Sequence, residues 1–488
     1  MPPSFQDILE EARLSAQALW DYGEGLFNPT VRLGVTGLSR AGKTVFITAL
    51  IHGLTRGGRF PVFEAYAGGR IGRAHLEPQP DDAVPRFDYE NHVRTLVTDR
   101  RWPSSTTDIS ELRLVIDYQR QNGADRSLTL DIVDYPGEWL LDLPLLGKNF
   151  EQWAAESLTL SREGPRRKLA APWHEYLATL SAEDRADEQS ALTSARLFTD
   201  YLRACREERF AMSLLPPGRF LMPGNLANSP ALTFAPLDVP IDGSAPEGSL
   251  WAMMVRRYEA YKDAVVRPFF RDHFSRLDRQ IVLVDALAAF NSGPEALHDL
   301  EAALAGILDC FRIGRSTFFS SLFRPRIDRI LFAATKADHL HHSSHDRLEA
   351  ILHRIVARAA MRAEHEEATI DVVALAAVRA TREAMVQRGR DKLPSLLGTP
   401  AAGESANGEF FDGETEVATF PGDLPSDPEA LFKGDGFRGL ASAPSEKADF
   451  RFLRFRPPQL AREGDAEPAL PHIRLDRALQ FLIGDRLQ

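Results

Sequence analysis

Gly37-Leu38-Ser39-Arg40-Ala41-Gly42-Lys43-Thr44 is a complete G-x-x-x-x-G-K-T loop, and what flanks it decides the fold. Val31-Arg32-Leu33-Gly34-Val35-Thr36 reads as a short buried strand, and the run from Val45 to Leu54 as an apolar helix start, the setting in which such a loop holds phosphate. The glycines let the backbone curl so that the N–H groups of Ser39, Arg40, Ala41, Gly42, Lys43, Thr44 and Val45 turn inward at the positive end of the following helix. Lys43 then reaches the β and γ phosphates. The Thr44 hydroxyl is placed to ligate Mg²⁺, a cation that takes oxygen ligands together with substrate phosphates.

Two further stretches narrow the reading. Asp134-Tyr135-Pro136-Gly137 closes an apolar strand, Leu128 to Val133, and matches D-x-x-G, in which the Asp serves the metal and the Gly N–H senses the γ-phosphate. Thr335-Lys336-Ala337-Asp338 follows the strand ending at Ala334 and matches [N/T]-K-x-D. A carboxylate at Asp338 can accept from both N1–H and the exocyclic amine of guanine, whereas adenine offers an acceptor at N1 and would leave the carboxylate unpaired. Lys336 covers the base, His339 edges it, and the backbone of Ala377 and Val378, after the strand Val372 to Leu375, meets guanine O6.

A first switch threonine is expected at Thr106 or Thr107, in Trp102-Pro103-Ser104-Ser105-Thr106-Thr107. Trp102 is the candidate cover for the ribose or base edge and Ser104 a phosphate contact. The expected Mg²⁺ set is Thr44, Thr107 and Asp134. The expected catalytic cations are Lys43 and Arg40; Arg40 would lie along the phosphates and supply in cis the charge that an arginine finger or K⁺ brings elsewhere. Glu138 stands where many GTPases place a glutamine. A carboxylate there is repelled by the γ-phosphate, so Glu138 is expected to point away or serve neighbouring structure, with slow turnover.

The rest of the 488 residues is organised around these motifs. An amphipathic N-terminal helix is expected over 1–27, then the first half of an α/β domain over 28–137. Residues 55 to 109 read as loop-rich, and 111–119 with 128–133 as a hairpin turned at Asn122-Gly123. Residues 138–279 read as mainly helical, with segments near 148–158, 171–208 and 250–277 and a Pro-rich connector from 215 to 246. Strand and helix alternation resumes over 280–383. An irregular or β insertion is expected over 384–474, with a flexible loop at 398–415 and an edge strand at 450–456, before a closing helix over 475–483 that returns to the sheet. The fold class is therefore an α/β P-loop NTPase, a mostly parallel sheet with one antiparallel hairpin strand, carrying a large helical insertion.

A net charge of −11 argues against a nucleic-acid partner, and two cysteines against a disulfide or zinc framework. The amino terminus lacks the order of a secretory signal and no run approaches eighteen apolar residues, which places the chain in the cytoplasm.

With Gly37 to Thr44, Asp134 to Leu143 and Thr335 to Asp338 together, the chain resembles the YcjX-like family of bacterial P-loop GTP-binding proteins, the run Asp-Tyr-Pro-Gly-Glu-Trp-Leu being its specific part. The resemblance implies a Ras-like G domain with large insertions, GTP and GDP binding with Mg²⁺, and a link to envelope stress beside a membrane protein. It thereby implies a protein partner and a peripheral placement at the inner membrane through it. Two rival readings are a GTP-gated scaffold that does not hydrolyse and an ATP-dependent kinase; the kinase leaves Thr335 to Asp338 unexplained.

Overall fold

The computed structural model describes residues 29–38, 40–104, 106–207, 209–227, 229–310, 327–364, 368–388, 391–406, 408–432, 452–460 and 468–488. The expected helix over 1–27 lies outside them, as does Ser39.

Among the described residues one sheet has seven strands: β1 (Thr30–Gly37), β2 (Ile71–Glu77), β3 (Ser110–Gln119), β4 (Asp125–Asp134), β5 (Arg279–Val284), β6 (Arg329–Ala334) and β7 (Thr369–Ala374). Their order is β2-β3-β4-β1-β5-β6-β7. β1 runs parallel to β4 and β5, and β5, β6 and β7 run parallel to one another. β3 is antiparallel to both β4 and β2. This is the expected mostly parallel sheet with an antiparallel hairpin. β5 is buried at every position, as a strand covered on both faces must be.

One face carries α1 (Lys43–Arg56), α2 (Tyr89–Val97) and α8 (Leu475–Ile483), packed on Leu33, Val35, Ile281 and Leu331. The closing helix thus returns to the sheet as expected, against β5, β6 and β7. The other face carries α6 (Pro294–Cys310) and α7 (His345–Glu364). The insertion follows Gly137 as a 3-10 run, Gly137–Gly147, then α3 (Phe150–Ser161), α4 (Glu188–Arg206) and α5 (Leu250–Tyr261). Asn149 and Gln152 form a reciprocal capping box at the start of α3, and Asp187 caps α4 through the Ser190 N–H. Trp153, Trp173, Phe198, Phe234 and Tyr258 form its interior, continuous with Val282, Val284 and Phe332 of the sheet. Insertion and sheet share one core.

Several expectations are corrected. Residues 55–109 hold α2 and the edge strand β2; no residue of β2 is fully buried, so it shows no apolar alternation, and its partner β3 supplies the ladder. The helical segment expected over 171–208 is two helices, Ala171–Leu177 and α4, parted at 178–187. The region after β7 is more strand-like than expected: β8 (Arg382–Arg388), β9 (Asp391–Gly398) and β12 (Val417–Thr419) form a small sheet, and β10 (Ser405–Ala406) with β11 (Glu409–Phe410) a hairpin inside the expected flexible loop. The expected edge strand at 450–456 is not seen among its described residues, 452–456. Phe455 makes only an isolated bridge to Pro400, and Phe452, Leu453 and Phe455 are buried, their apolar side chains drawn inward rather than alternating.

Candidate functional site

A cavity of about 300 Å³ opens at the carboxyl ends of β1, β6 and β7, where open α/β sheets place ligands. The phosphate loop forms its floor. Gly42 has φ 87°, a left-handed value that glycine adopts without strain, and lies at the N-terminus of α1. Gly37 is equally constrained, since a Cβ there would meet the Leu283 carbonyl at 2.6 Å. Lys43 folds back with Nζ donating to the Gly37 carbonyl at 3.1 Å. Arg40, Ala41, Gly42, Lys43, Thr44 and Val45 all line the cavity, with Arg40 exposed at φ 62°.

Three oxygen-bearing side chains meet beside Lys43. The Thr44 and Thr106 hydroxyls are 3.3 Å apart, and Thr106 Oγ1 donates to Asp134 Oδ2 at 2.7 Å. Of the two candidate switch threonines the structure brings Thr106 to the site; Thr107, placed in the expected metal set, is not in the lining. Asp134 is buried, its other oxygen, Oδ1, has no hydrogen-bond partner, and burial pushes its carboxyl up to about 6 against the opposing pull of Lys43 and the Thr106 hydroxyl. Two hydroxyls and a buried carboxylate with an orphaned oxygen suit a hard divalent cation such as Mg²⁺. Gly137 packs against the phosphate loop so closely that a Cβ would lie 1.9 Å from the Gly37 carbonyl.

The far wall holds Thr335, Lys336, Asp338, His339, Ala377 and Val378. Asp338 is buried, and its Oδ2 accepts from the Ala380 N–H at 2.8 Å. Lys336, at φ 60°, ion-pairs with Asp285. Thr335 braces β5, its N–H donating to the Val284 carbonyl at 2.9 Å. His339 is buried edge-on to Phe455, with ring centroids 5.3 Å apart, and desolvation holds its imidazole below the usual range. Ala376 is held by a two-way bridge to Ile473. Trp102 and Ser104 line the near rim, Trp102 Nε1 donating to the Phe455 carbonyl at 2.6 Å.

The YcjX-like family (DUF463) matches residues 31–487. The chain belongs to that family. It is 37% identical over 474 residues to "Ras-like GTPase YcjX" of Escherichia coli (strain K12), covering 94% of this chain and 96% of that one. It is 33% identical over 487 residues to "Ras-like GTPase YcjX" of Shewanella oneidensis, covering 94% and 95%. The fold is accordingly the Ras-like P-loop fold, here with the YcjX-like insertions on it.

Sequence reasoning missed a second group of lining residues in this family member. Arg206, at the end of α4, ion-pairs with Glu138 at 3.0 Å, and both line the cavity together with Met222, Arg454 and Phe455. Glu138 thus turns its carboxylate to the insertion. No local motif marks Arg206, which stands 68 positions after Glu138 at the end of an amphipathic helix.

Proposed function

We propose that this protein binds GTP and GDP with Mg²⁺, hydrolyses GTP slowly, and uses the nucleotide as a switch on its helical insertion. The observation that carries the reading is the convergence on one cavity of the phosphate loop, Thr106 beside the buried Asp134, and Thr335 to Asp338. Membership of a family whose relatives are named Ras-like GTPase supports it. Thr44, Thr106 and Asp134 would hold Mg²⁺, which supplies positive charge to the β and γ phosphates. Lys43 and Arg40 provide the cationic side of the cradle, Gly137 the γ-phosphate N–H, and Asp338 the base contact. Arg40 is exposed at the rim, so Arg40→Ala is expected to slow turnover about tenfold, with less effect on GDP affinity and no gain from K⁺ in wild type.

The GTP-gated scaffold has one observation in its favour: Glu138, where a water-orienting group would sit, is engaged by Arg206. Two measurements on the purified protein decide. GDP is expected to bind far more tightly than ADP, and equal binding would overturn the guanine reading. Single-turnover GTP conversion at a slow but enzyme-dependent rate is expected; no conversion above the uncatalysed rate would leave the scaffold.

Asp134 carries a second prediction. Its folded carboxyl titrates near 6, above its ordinary value, so the nucleotide-free fold holds this proton more tightly than the unfolded chain does. The stability given by the protonated group is lost as pH rises from about 4 to about 6, a loss on the order of 3 kcal/mol at 1.4 kcal/mol per unit. Asp134→Asn is expected to raise the melting temperature of the nucleotide-free protein at pH 7 while abolishing any Mg²⁺ enhancement of nucleotide affinity. Calorimetry with and without Mg²⁺ reads both.

A further inference from the structure

The phosphate end of the cavity holds a cation that the motifs do not account for. Arg206 is the last residue of α4, deep in the insertion, yet its guanidinium enters the same cavity as Lys43, Thr44 and Thr106. Its Nη2 lies 3.0 Å from Glu138 Oε1, and its Nη1 donates to Met222 Sδ at 3.3 Å. The Glu138 side chain is 7% exposed and that of Arg206 25%. Glu138 Oε1 nevertheless has no aligned hydrogen bond. The pair is therefore a charge contact, not a locked fork.

The position of Glu138 gives this contact its meaning. It directly follows Gly137, whose backbone is pressed onto the phosphate loop, so a γ-phosphate sensed at Gly137 brings negative charge up to a buried carboxylate. Two anions that close in a dry site repel strongly unless a cation lies between them. Arg206 already neutralises one of them from the open side of the cavity. A guanidinium has five N–H donors in a rigid fork and can serve a carboxylate and a phosphate oxygen together. Arg40 is less suited, being exposed at the rim with its backbone in the left-handed region.

We infer that Arg206, delivered by the helical insertion, is a further cation, beside Lys43, that contacts the γ-phosphate of bound GTP, bridging it to Glu138 and stabilising the charge that develops during hydrolysis. This rests on the GTPase reading above. In that reaction the water oxygen bonds to the γ phosphorus as the bond from phosphorus to the β–γ bridging oxygen breaks. The electron pair of the broken bond stays with GDP, one water proton leaves with inorganic phosphate and the other passes to solvent. Arg206 takes no proton; it acts by charge and position. The insertion thereby reads the presence of the third phosphate directly, because GDP offers Arg206 nothing beyond Glu138.

Arg206→Ala and Arg206→Lys test this in the full-length protein. Single-turnover hydrolysis is expected to fall by on the order of 10²- to 10³-fold in Arg206→Ala and to be only partly restored by lysine, which lacks the fork. Affinity for the non-hydrolysable analogue GppNHp should fall about tenfold while GDP affinity, which also reports correct folding, stays within about twofold. A purely neutralising role for Arg206 predicts something different: Arg206→Gln combined with Glu138→Gln would regain wild-type turnover. That recovery, or an Arg206→Ala protein that keeps wild-type turnover and GppNHp affinity, overturns the proposal and leaves the guanine reading intact. Wild-type protein without preference for GDP over ADP overturns the underlying reading instead.

Discussion

Asp338→Ala is expected to cost about a thousandfold in GDP affinity and to leave ADP affinity almost unchanged, since truncating a buried charged hydrogen-bond partner is worth about 2–5 kcal/mol. The residue is 4% exposed and its carboxylate is already held in place by the Ala380 N–H on Oδ2, so its orientation is set without a ligand. On the proposed reading, guanine would meet it with two donors. With alanine those donors lose their acceptor and the site no longer has a polar reason to prefer guanine. Asp338→Asn gives the sharper outcome. Its carbonyl oxygen still accepts from N1–H, but its amide hydrogens face the exocyclic amine, donor against donor, whereas the 2-oxo group of xanthine would accept them. Preference should therefore move from GDP to XDP. Titration of the two variants with GDP, ADP and XDP checks this, and a GDP affinity unchanged in both would remove Asp338 from base recognition.

The second large effect is expected at Asp142. This buried carboxylate accepts from the Tyr261 hydroxyl at 2.6 Å, the Gly218 N–H at 2.6 Å and the Arg219 N–H at 3.3 Å. It clasps the 3-10 run after Gly137 to two other parts of the insertion. Trp139 adds to the clasp, with Nε1 donating to the Met222 carbonyl at 3.0 Å and the Arg219 guanidinium 3.1 Å above its ring. Asp142→Ala leaves three buried donors unpaired, at about 1–3 kcal/mol each. Part of this is offset, because burial pushes the Asp142 carboxyl up to about 6 and its charged form is itself unfavourable at pH 7. The net expectation is a loss of about 3 kcal/mol in urea unfolding at pH 7. The sign of the pH dependence follows from the raised value: wild-type stability falls as pH rises from about 4 to about 6, and the fall should be smaller in Asp142→Ala. Faster amide exchange at 218–222 would place the loosening at the clasp; unchanged stability would show that the clasp contributes nothing.

Much of the sheet and many of the residues that line the cavity were legible because those residues obey local rules. β1 with its loop, the strand ending at Asp134 and Thr335 to Asp338 each carry their chemistry within a few residues of a buried strand. The misread elements depend on distant partners. β2 is defined by pairing with β3 across 36 to 47 positions rather than by its own apolar pattern. Phe455 reads as part of an alternating strand, yet its place is set by His339, Trp102 and Pro400. Arg206 is one of several arginines on α4, and only the packing of Gly218 against Glu138, where a Cβ would lie 1.8 Å from the carbonyl oxygen, shows how near the insertion comes to the residue that follows Gly137. Thr106 and Thr107 are alike in sequence and are separated only by the hydrogen bond to Asp134.

The two-way bridge between Ala376 and Ile473, with the Arg379 N–H on the Pro471 carbonyl, has a consequence for the order in which the protein is made. The phosphate cradle is encoded before residue 50, but the loop expected to meet guanine O6 is buttressed by residues synthesised more than 420 positions later. A growing chain therefore carries a phosphate-binding loop through nearly all of its translation without a finished base pocket. The far wall of the cavity is thus completed only by the last part of the chain to be made, so a chain cut short before Pro471 would keep the loop at Gly37 to Thr44 and lose the support of the wall opposite it.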